Sequence, residues 1–207
     1  ALLLGEIHAQ DIVHKSLSTH NVLIERRTGD LVLAGFGMAS ELSQERQASQ
    51  LAVESPEMLA YISPEQTGRM NRSLDYRSDY YSLGCVLYEL LTGQPPFSAS
   101  NTLEWVHSHI SRTPLSPDTL VVLKLLAKSP EDRYQSCTGL IHDIDRCSVA
   151  LTQEQSAVPF PLGEQDQLQK FLVPQSLYGR ENELQALYDL FEQAVEGRPR
   201  WCLIHGY

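Results

Sequence analysis

A mainly α-helical fold with one small β hairpin, followed by the first helix and strand of a second, α/β unit, is what this sequence predicts. Three observations point there. Between Asp79 and Leu91, Tyr80, Tyr81, Leu83, Cys85, Val86, Leu87, Leu90 and Leu91 cover nearly every direction of a helix, the pattern of an element in the middle of a domain. Val22-Leu23-Ile24 and Leu31-Val32-Leu33 are short strand-like runs separated by a Thr28-Gly29-Asp30 turn. Near the C-terminus an amphipathic stripe gives way to the apolar run Trp201-Cys202-Leu203-Ile204, the helix-then-strand rhythm of an α/β domain.

Taken in order, Ala1 to Ala9 suit the end of a helix, and Ile12-Val13 is a first extended piece before the hairpin. Ser40 to Ser55, rich in Ser, Gln and Glu, reads as a surface loop. Ser43, Ser49 and Ser55 within it are candidates for phosphorylation, against the plainer reading of a solvated loop. Thr92-Gly93, with Pro95-Pro96 behind it, ends the central helix. Asn101 with Glu104 resembles a capping box, and Leu103, Val106 and Ile110 supply the apolar stripe of the helix it opens. Leu120 to Leu126 is another apolar helix, and Leu140, Ile144, Cys147 and Leu151 space out the next. From Thr152 to Ser176 the composition shifts to Gln, Glu and Pro, a linker whose Phe160, Leu162, Phe171 and Val173 lie partly against something. Leu184, Leu187, Leu190, Phe191 and Val195 then give one amphipathic helix, read as ordinary core, which Gly197 ends before a buried strand. No internal repeat is found.

Bulk properties exclude several classes. Hydrophobic residues are 42% and charged residues 20% of 207, enough apolar material for a core. The net charge is -10 and no run of Lys or Arg forms a stripe, so no nucleic-acid surface is expected, because such surfaces need clustered positive charge. Cys85, Cys137, Cys147 and Cys202 never fall in a C-x-x-C spacing, which predicts no zinc site and fits reduced thiols in the cytoplasm. No apolar run approaches the ~20 residues that span a bilayer. Ala1-Leu2-Leu3-Leu4 lacks the basic segment of a signal peptide. With no initiator Met and an apolar run near its last residues, the chain is expected to be cut from a longer one.

His14-Lys15-Ser16-Leu17-Ser18-Thr19-His20-Asn21 has the frame H-R-D-x-x-x-x-N of a kinase catalytic loop. Downstream, Ala34-Gly35-Phe36-Gly37 stands in the place of D-F-G, and Ser63-Pro64-Glu65 in that of A-P-E. Asp79-Tyr80-Tyr81-Ser82-Leu83-Gly84 is similar to the D-x-W-S-x-G opening of the central helix, and Arg133 sits where an arginine pairs with the A-P-E glutamate. In this order they make the chain resemble the C-terminal lobe of a protein kinase. The stretch Ala60 to Ser73 also resembles very large multi-domain signalling proteins. In those, a serine/threonine-kinase-like domain precedes an AAA/STAND-type ATPase, then sensor and histidine-kinase modules. Leu177-Tyr178-Gly179-Arg180-Glu181 is similar to the opening of that ATPase, and Cys202 to Tyr207 to its first strand. The resemblance implies a kinase-like C-terminal lobe over 1–150 without its N-terminal lobe, a linker over 151–176, and the N-terminal stub of a P-loop ATPase over 177–207.

The same resemblance shows where this sequence departs from the family. The loop aspartate that orients the substrate hydroxyl is Ser16, which has no useful basicity near neutral pH. The D-F-G aspartate that holds Mg²⁺ is Gly35. The lysine near the transferred phosphate is Ser18, and the Gly-Thr pair before Leu59 is Glu57-Met58. Asn21 remains as a vestigial metal ligand, a neutral amide that substitutes poorly for a charged one. His14, Phe36, Gly37, Glu65, Asp79 and Arg133 keep the family's framework identities, with Asp79 expected to accept bonds from the loop backbone and Glu65 to pair with Arg133. A plain polar loop remains the bland reading of Ser16 and Ser18. The segment between Thr113 and Leu120 is short against the family pattern.

The expectation is therefore a pseudokinase: a non-catalytic regulatory module of a signal-transduction protein that docks partners or holds the neighbouring ATPase. Two alternatives stay open, a degenerate remnant and an atypical active serine/threonine kinase using other carboxylates such as Asp11 or Asp30. ATP and Mg²⁺ are the parent family's cofactors, and none is expected for these residues. The expected partners are other domains of the same protein and protein ligands, with no nucleic acid and no membrane span.

Overall fold

The computed structural model describes residues 1–42, 56–70, 72–115, 119–152, 160–167, 181–195, 197–198 and 201–203. Ser43, Ser49, Ser55, Phe171, Val173, the segment 177–180 and residues 116–118 of the short loop lie outside them. The chain divides into two units, Ala1–Lys170 and Phe171–Tyr207.

The first unit is built on α2 (Arg77–Thr92), whose first half is sunk among other elements: Ser78, Asp79, Tyr80, Tyr81, Ser82, Cys85 and Val86 are all buried. Its last turn is not, since Leu90 is 70% exposed, so the all-round apolar pattern marks a buried helix only as far as Tyr88. The reason is the reach of its neighbour, α4 (Leu120–Leu125), which crosses α2 at Gly84. A Cβ there would lie 2.8 Å from the Leu125 Cβ, so only glycine permits this approach.

Around this axis lie α1 (Leu2–Ala9), α3 (Thr102–Ser111) and α5 (Cys137–Thr152). The Asn101 side chain accepts from the Glu104 amide at 2.9 Å and caps α3. The reciprocal arm differs from a capping box, because the Glu104 carboxylate takes the Ser100 amide instead. The stripe of α3 is also corrected. Leu103 faces solvent, and the inward face carries Val106, Ser108 and His109. His109 is neutral: its Nε2–H donates to the Leu59 carbonyl at 2.8 Å and Nδ1 accepts from the Tyr81 hydroxyl at 3.0 Å. Burial holds it down to about 4.

Two small sheets flank the helices. β2 (Val22–Ile24) pairs antiparallel with β3 (Leu31–Leu33), Val22 opposite Leu33, which is the hairpin the turn residues predict. β1 (Ile12–Val13) pairs with β4 (Ser40–Glu41), Ile12 opposite Glu41. Ser40 and Glu41 read as the start of a loop, because their polar side chains hide a pairing made by backbone alone.

Part of the predicted linker packs on this unit. The Gly163 amide donates to Asp143 at 2.8 Å, and Asp166 accepts from the Gln135 amide at 2.8 Å and the Ser136 hydroxyl at 2.9 Å. The Arg146 guanidinium lies 4.0 Å over the Phe160 ring. In the second unit, α6 (Glu181–Val195) forms as its periodicity predicts. However, Leu187 and Phe191 of its stripe are exposed, so among the described residues it is not core. Trp201, Cys202 and Leu203 are exposed and form no strand among the described residues, where a buried strand is predicted. A strand needs a neighbour to hydrogen-bond, and no described residue provides one.

Glu65 and Arg133 meet inside the first unit, each about 1% exposed. Arg133 Nη1 and Nη2 donate to the two Glu65 oxygens at 2.6 and 2.9 Å. Its other N–H groups reach the carbonyls of Ala127, Arg77 and Lys128, so all five donors are used. Burial would raise the Glu65 carboxyl, but Arg133 and the Ser78 hydroxyl outweigh that and hold it below its ordinary value. Arg133→Met should cost about 3–5 kcal/mol by leaving that carboxylate uncompensated. Adding Glu65→Leu should recover most of the loss, measured by urea unfolding.

Candidate functional site

The site forms where the His14–Asn21 loop, the Ala34–Gly37 segment and the Pro56–Ala60 turn converge. Asp79, in the first turn of α2, is wholly buried and organises the loop. Its carboxylate accepts the His14 amide, the Lys15 amide and the His8 Nε2–H, each at 2.8 Å. Lys15 takes a left-handed conformation, φ 63°, that accompanies the convergence of both amides on one carboxylate. The His14 ring continues the chain: Nε2–H donates to the Ala34 carbonyl at 2.9 Å and Nδ1 accepts the Ser16 amide at 3.3 Å. Its edge meets Phe36, with ring centroids 4.5 Å apart.

Two further ties were not read from the sequence. Gln66 donates to the Lys15 carbonyl at 2.7 Å. Tyr61 donates to Glu89 at 2.5 Å while bonded to Thr19 at 2.8 Å. Burial and the Glu89 carboxylate push the Tyr61 phenol up to about 12. These residues lie far apart in sequence and carry no local pattern, so only the fold brings them together.

Ser16 and Ser18 are buried at the base of a cleft of ≈ 240 Å³. Its walls are Ser16, Ser18, His20, Asn21, Gly35, Gly37, Met38, Glu57 and Met58. Asn21 turns into the loop: Nδ2 donates to the Ser16 carbonyl at 2.7 Å and the Ser16 hydroxyl at 3.1 Å. Gly35 has φ 80°, and a Cβ there would lie 2.4 to 2.6 Å from the Asn21 amide atoms. The Asn21 side chain therefore occupies the space into which any side chain at position 35 would start. Asp11 and Asp30 are exposed and do not line the cleft, whereas Glu57 does.

The donor set can be tested against Mg²⁺, which wants several hard oxygen ligands in near-octahedral array. Around the cleft stand one amide committed to Ser16, two neutral hydroxyls and the exposed Glu57 carboxylate. Among the described residues no group of three or more His, Cys, Asp or Glu could hold a metal ion. These residues do not fit the family's Mg²⁺. They do present several hydrogen-bond acceptors with no lysine or arginine among the lining residues.

Residues 3–150 match the family described as protein kinase domain. The hybrid signal transduction histidine kinase G of Dictyostelium discoideum is 33% identical over 176 residues, covering 70% of this chain and 5% of that protein. Histidine protein kinase 1 of Candida albicans is 34% identical over 154 residues, 67% of this chain and 6% of that protein. Serine/threonine-protein kinase PknB of Mycobacterium leprae is 36% identical over 149 residues, 67% of this chain and 23% of that protein. The chain thus spans a quarter or less of these relatives' lengths. No helix among the described residues is long and apolar enough to cross a membrane.

Two measurements follow from this site. Burial alone would lower the His8 imidazole, but its bond to Asp79 prevails and raises it from 6.5 to about 9. A raised value means that the pair's contribution is complete below pH 6.5 and lost as pH rises through about 9. Urea unfolding should show His8→Gln losing roughly 2–3 kcal/mol relative to the natural chain at pH 6, with the gap closing by pH 10. Gly35→Ala should cost roughly 1–3 kcal/mol through its positive φ and the contact with Asn21. Asn21→Ala in the same chain should return part of that cost but not the part due to φ.

Proposed function

The chain belongs to the protein kinase family, and on that premise we propose that it is a non-catalytic, kinase-like regulatory module of a multi-domain signal-transduction protein. The observation that carries this reading is the Asn21 side chain, closed onto Ser16 and filling the space beside Gly35. Phosphoryl transfer needs a carboxylate to orient the attacking hydroxyl and charged ligands for the metal that bridges the phosphates. Ser16 and Gly35 offer neither. The framework around them is complete, with Asp79 holding the loop and Arg133 holding Glu65. A lobe that keeps its folding contacts and lacks its chemical groups suits docking better than turnover.

In this proposal residues 1–150 are the kinase-like lobe, 151–176 the connection and 177–207 the opening of an AAA/STAND-type ATPase. Its partners are other domains of the same protein and protein ligands. The relatives named as hybrid and histidine kinases support a signalling setting, since a short part of each is matched here. An atypical active kinase is the rival, and Glu57 is its best carboxylate because, among the described residues, it alone of the acidic ones lines the cleft.

The test is transfer of labelled phosphate from Mg²⁺-ATP by the gene product that carries this chain. Beside it runs the same protein with Ser16→Asp and Gly35→Asp. The natural protein should be silent and the double variant active, by at least ~100-fold. Transfer by the natural protein within about tenfold of the variant would make it an enzyme. Its loss in Glu57→Gln would then identify the substitute carboxylate.

A further inference from the structure

The lining of the cleft at the loop indicates the chemistry of a ligand that would fit it. Ser18 is 4% exposed and lines the cleft, yet among the described residues its hydroxyl has no hydrogen-bond partner. The hydroxyl is not among the fully enclosed side-chain atoms that lack a partner, so it faces the cleft, where a ligand or water can bond it. The Ser16 hydroxyl accepts from Asn21, and its own hydrogen is uncommitted among the described residues. Asn21 uses its Nδ2 on Ser16, leaving Oδ1 as an acceptor. Glu57 adds a carboxylate at the exposed rim.

Among the described residues no lysine or arginine lines the cleft to meet a phosphate, so these groups favour a donor-rich cation over an anion. Two walls are the thioethers of Met38 and Met58, flexible apolar surfaces suited to a methylene stem. A long side chain with apolar stem and planar, donor-rich head is arginine, whose five N–H donors can satisfy several acceptors at once. The net charge of -10 favours approach of a basic segment.

We propose that this cleft receives an arginine side chain from a partner protein segment, with the stem between Met38 and Met58 and the guanidinium between Glu57, Asn21 and Ser18. It rests on the reading of the chain as a docking module and gives that module's ligand a chemical class. Where the family has charged groups, Ser16 and Ser18 carry neutral hydroxyls and Gly35 carries no side chain, a set that suits an organic cation and not a hard metal ion.

The experiment titrates the 207-residue chain, isotopically labelled, with acetyl-Ala-Ala-Arg-Ala-Ala-amide at low salt, following amide resonances by NMR. Saturable shifts should appear at Ser18, Gly37 and Met58. The citrulline peptide, neutral but of nearly the same shape, should bind at least about tenfold more weakly, as should the arginine peptide to Glu57→Gln. Glu57 is exposed, so this variant should fold normally, which the unchanged remainder of the spectrum would show. Ser18→Ala should weaken binding about threefold or more. No saturable shift up to about 5 mM peptide, or equal binding of the citrulline peptide, overturns the proposal. Such a failure with phosphoryl transfer still silent leaves the non-catalytic module standing. Transfer near the restored rate would instead remove that reading, whatever the peptide does.

Discussion

A single buried carboxylate, that of Asp79, is what the rest of the site hangs on. Burying a charge is costly unless donors surround it, and here two backbone amides and one imidazole do so. Two of those donors are consecutive residues, His14 and Lys15, so satisfying the charge also sets the path of the loop. His14 then passes the constraint on through its ring to Ala34 and Phe36. A change at one end of α2 thereby reaches the segment beside the cleft through the His14 ring. The positive φ of Lys15 is tolerated because the surrounding bonds over-determine it.

The Glu65–Arg133 pair solves the same problem beside the first turn of α2. Both ions are almost fully enclosed, and each donor of the guanidinium has an acceptor. Such a pair is better evidence for a unique arrangement than for a large net stabilisation, since desolvation consumes much of the attraction. It joins the turn at Glu65 to the segment before α5 through Ser78 of α2. Asp79 and Ser78 are neighbours, so one turn of one helix anchors both networks.

Against that rigid frame, the cleft is where departures from the family pattern accumulate. Gly35 needs no room, and the Asn21 amide has taken the space that a side chain would claim. Ser16 then holds Asn21 in place by two bonds. The replacements are thus coupled physically: a single restored aspartate at position 35 would have to displace an amide that the serine retains. Ser16 and Gly35 carry no charge, so among the described residues the cleft presents neutral hydrogen-bonding groups with the Glu57 carboxylate at its rim.

The sequence by itself determined the helices and hairpin of the first unit, because side-chain periodicity and turn residues are local properties. Thr28-Gly29-Asp30 placed the hairpin, and Gly93 the end of α2. The motif residues His14, Glu65, Asp79 and Arg133 were legible by order and identity. Tertiary structure decided what faces what. Leu103 turned outward and His109 inward because imidazole becomes core when both ring nitrogens find partners, a condition set by Tyr81 and Leu59 from distant elements. Ser40 and Glu41 became a strand through backbone bonds to Ile12 and Val13. The apolar run at Trp201 and the stripe of α6 show the converse. Periodicity states that a face can be buried, but burial needs a partner, and the described residues supply none. Glu57 entered the cleft in the same way, through where the chain carries it rather than through any pattern around it.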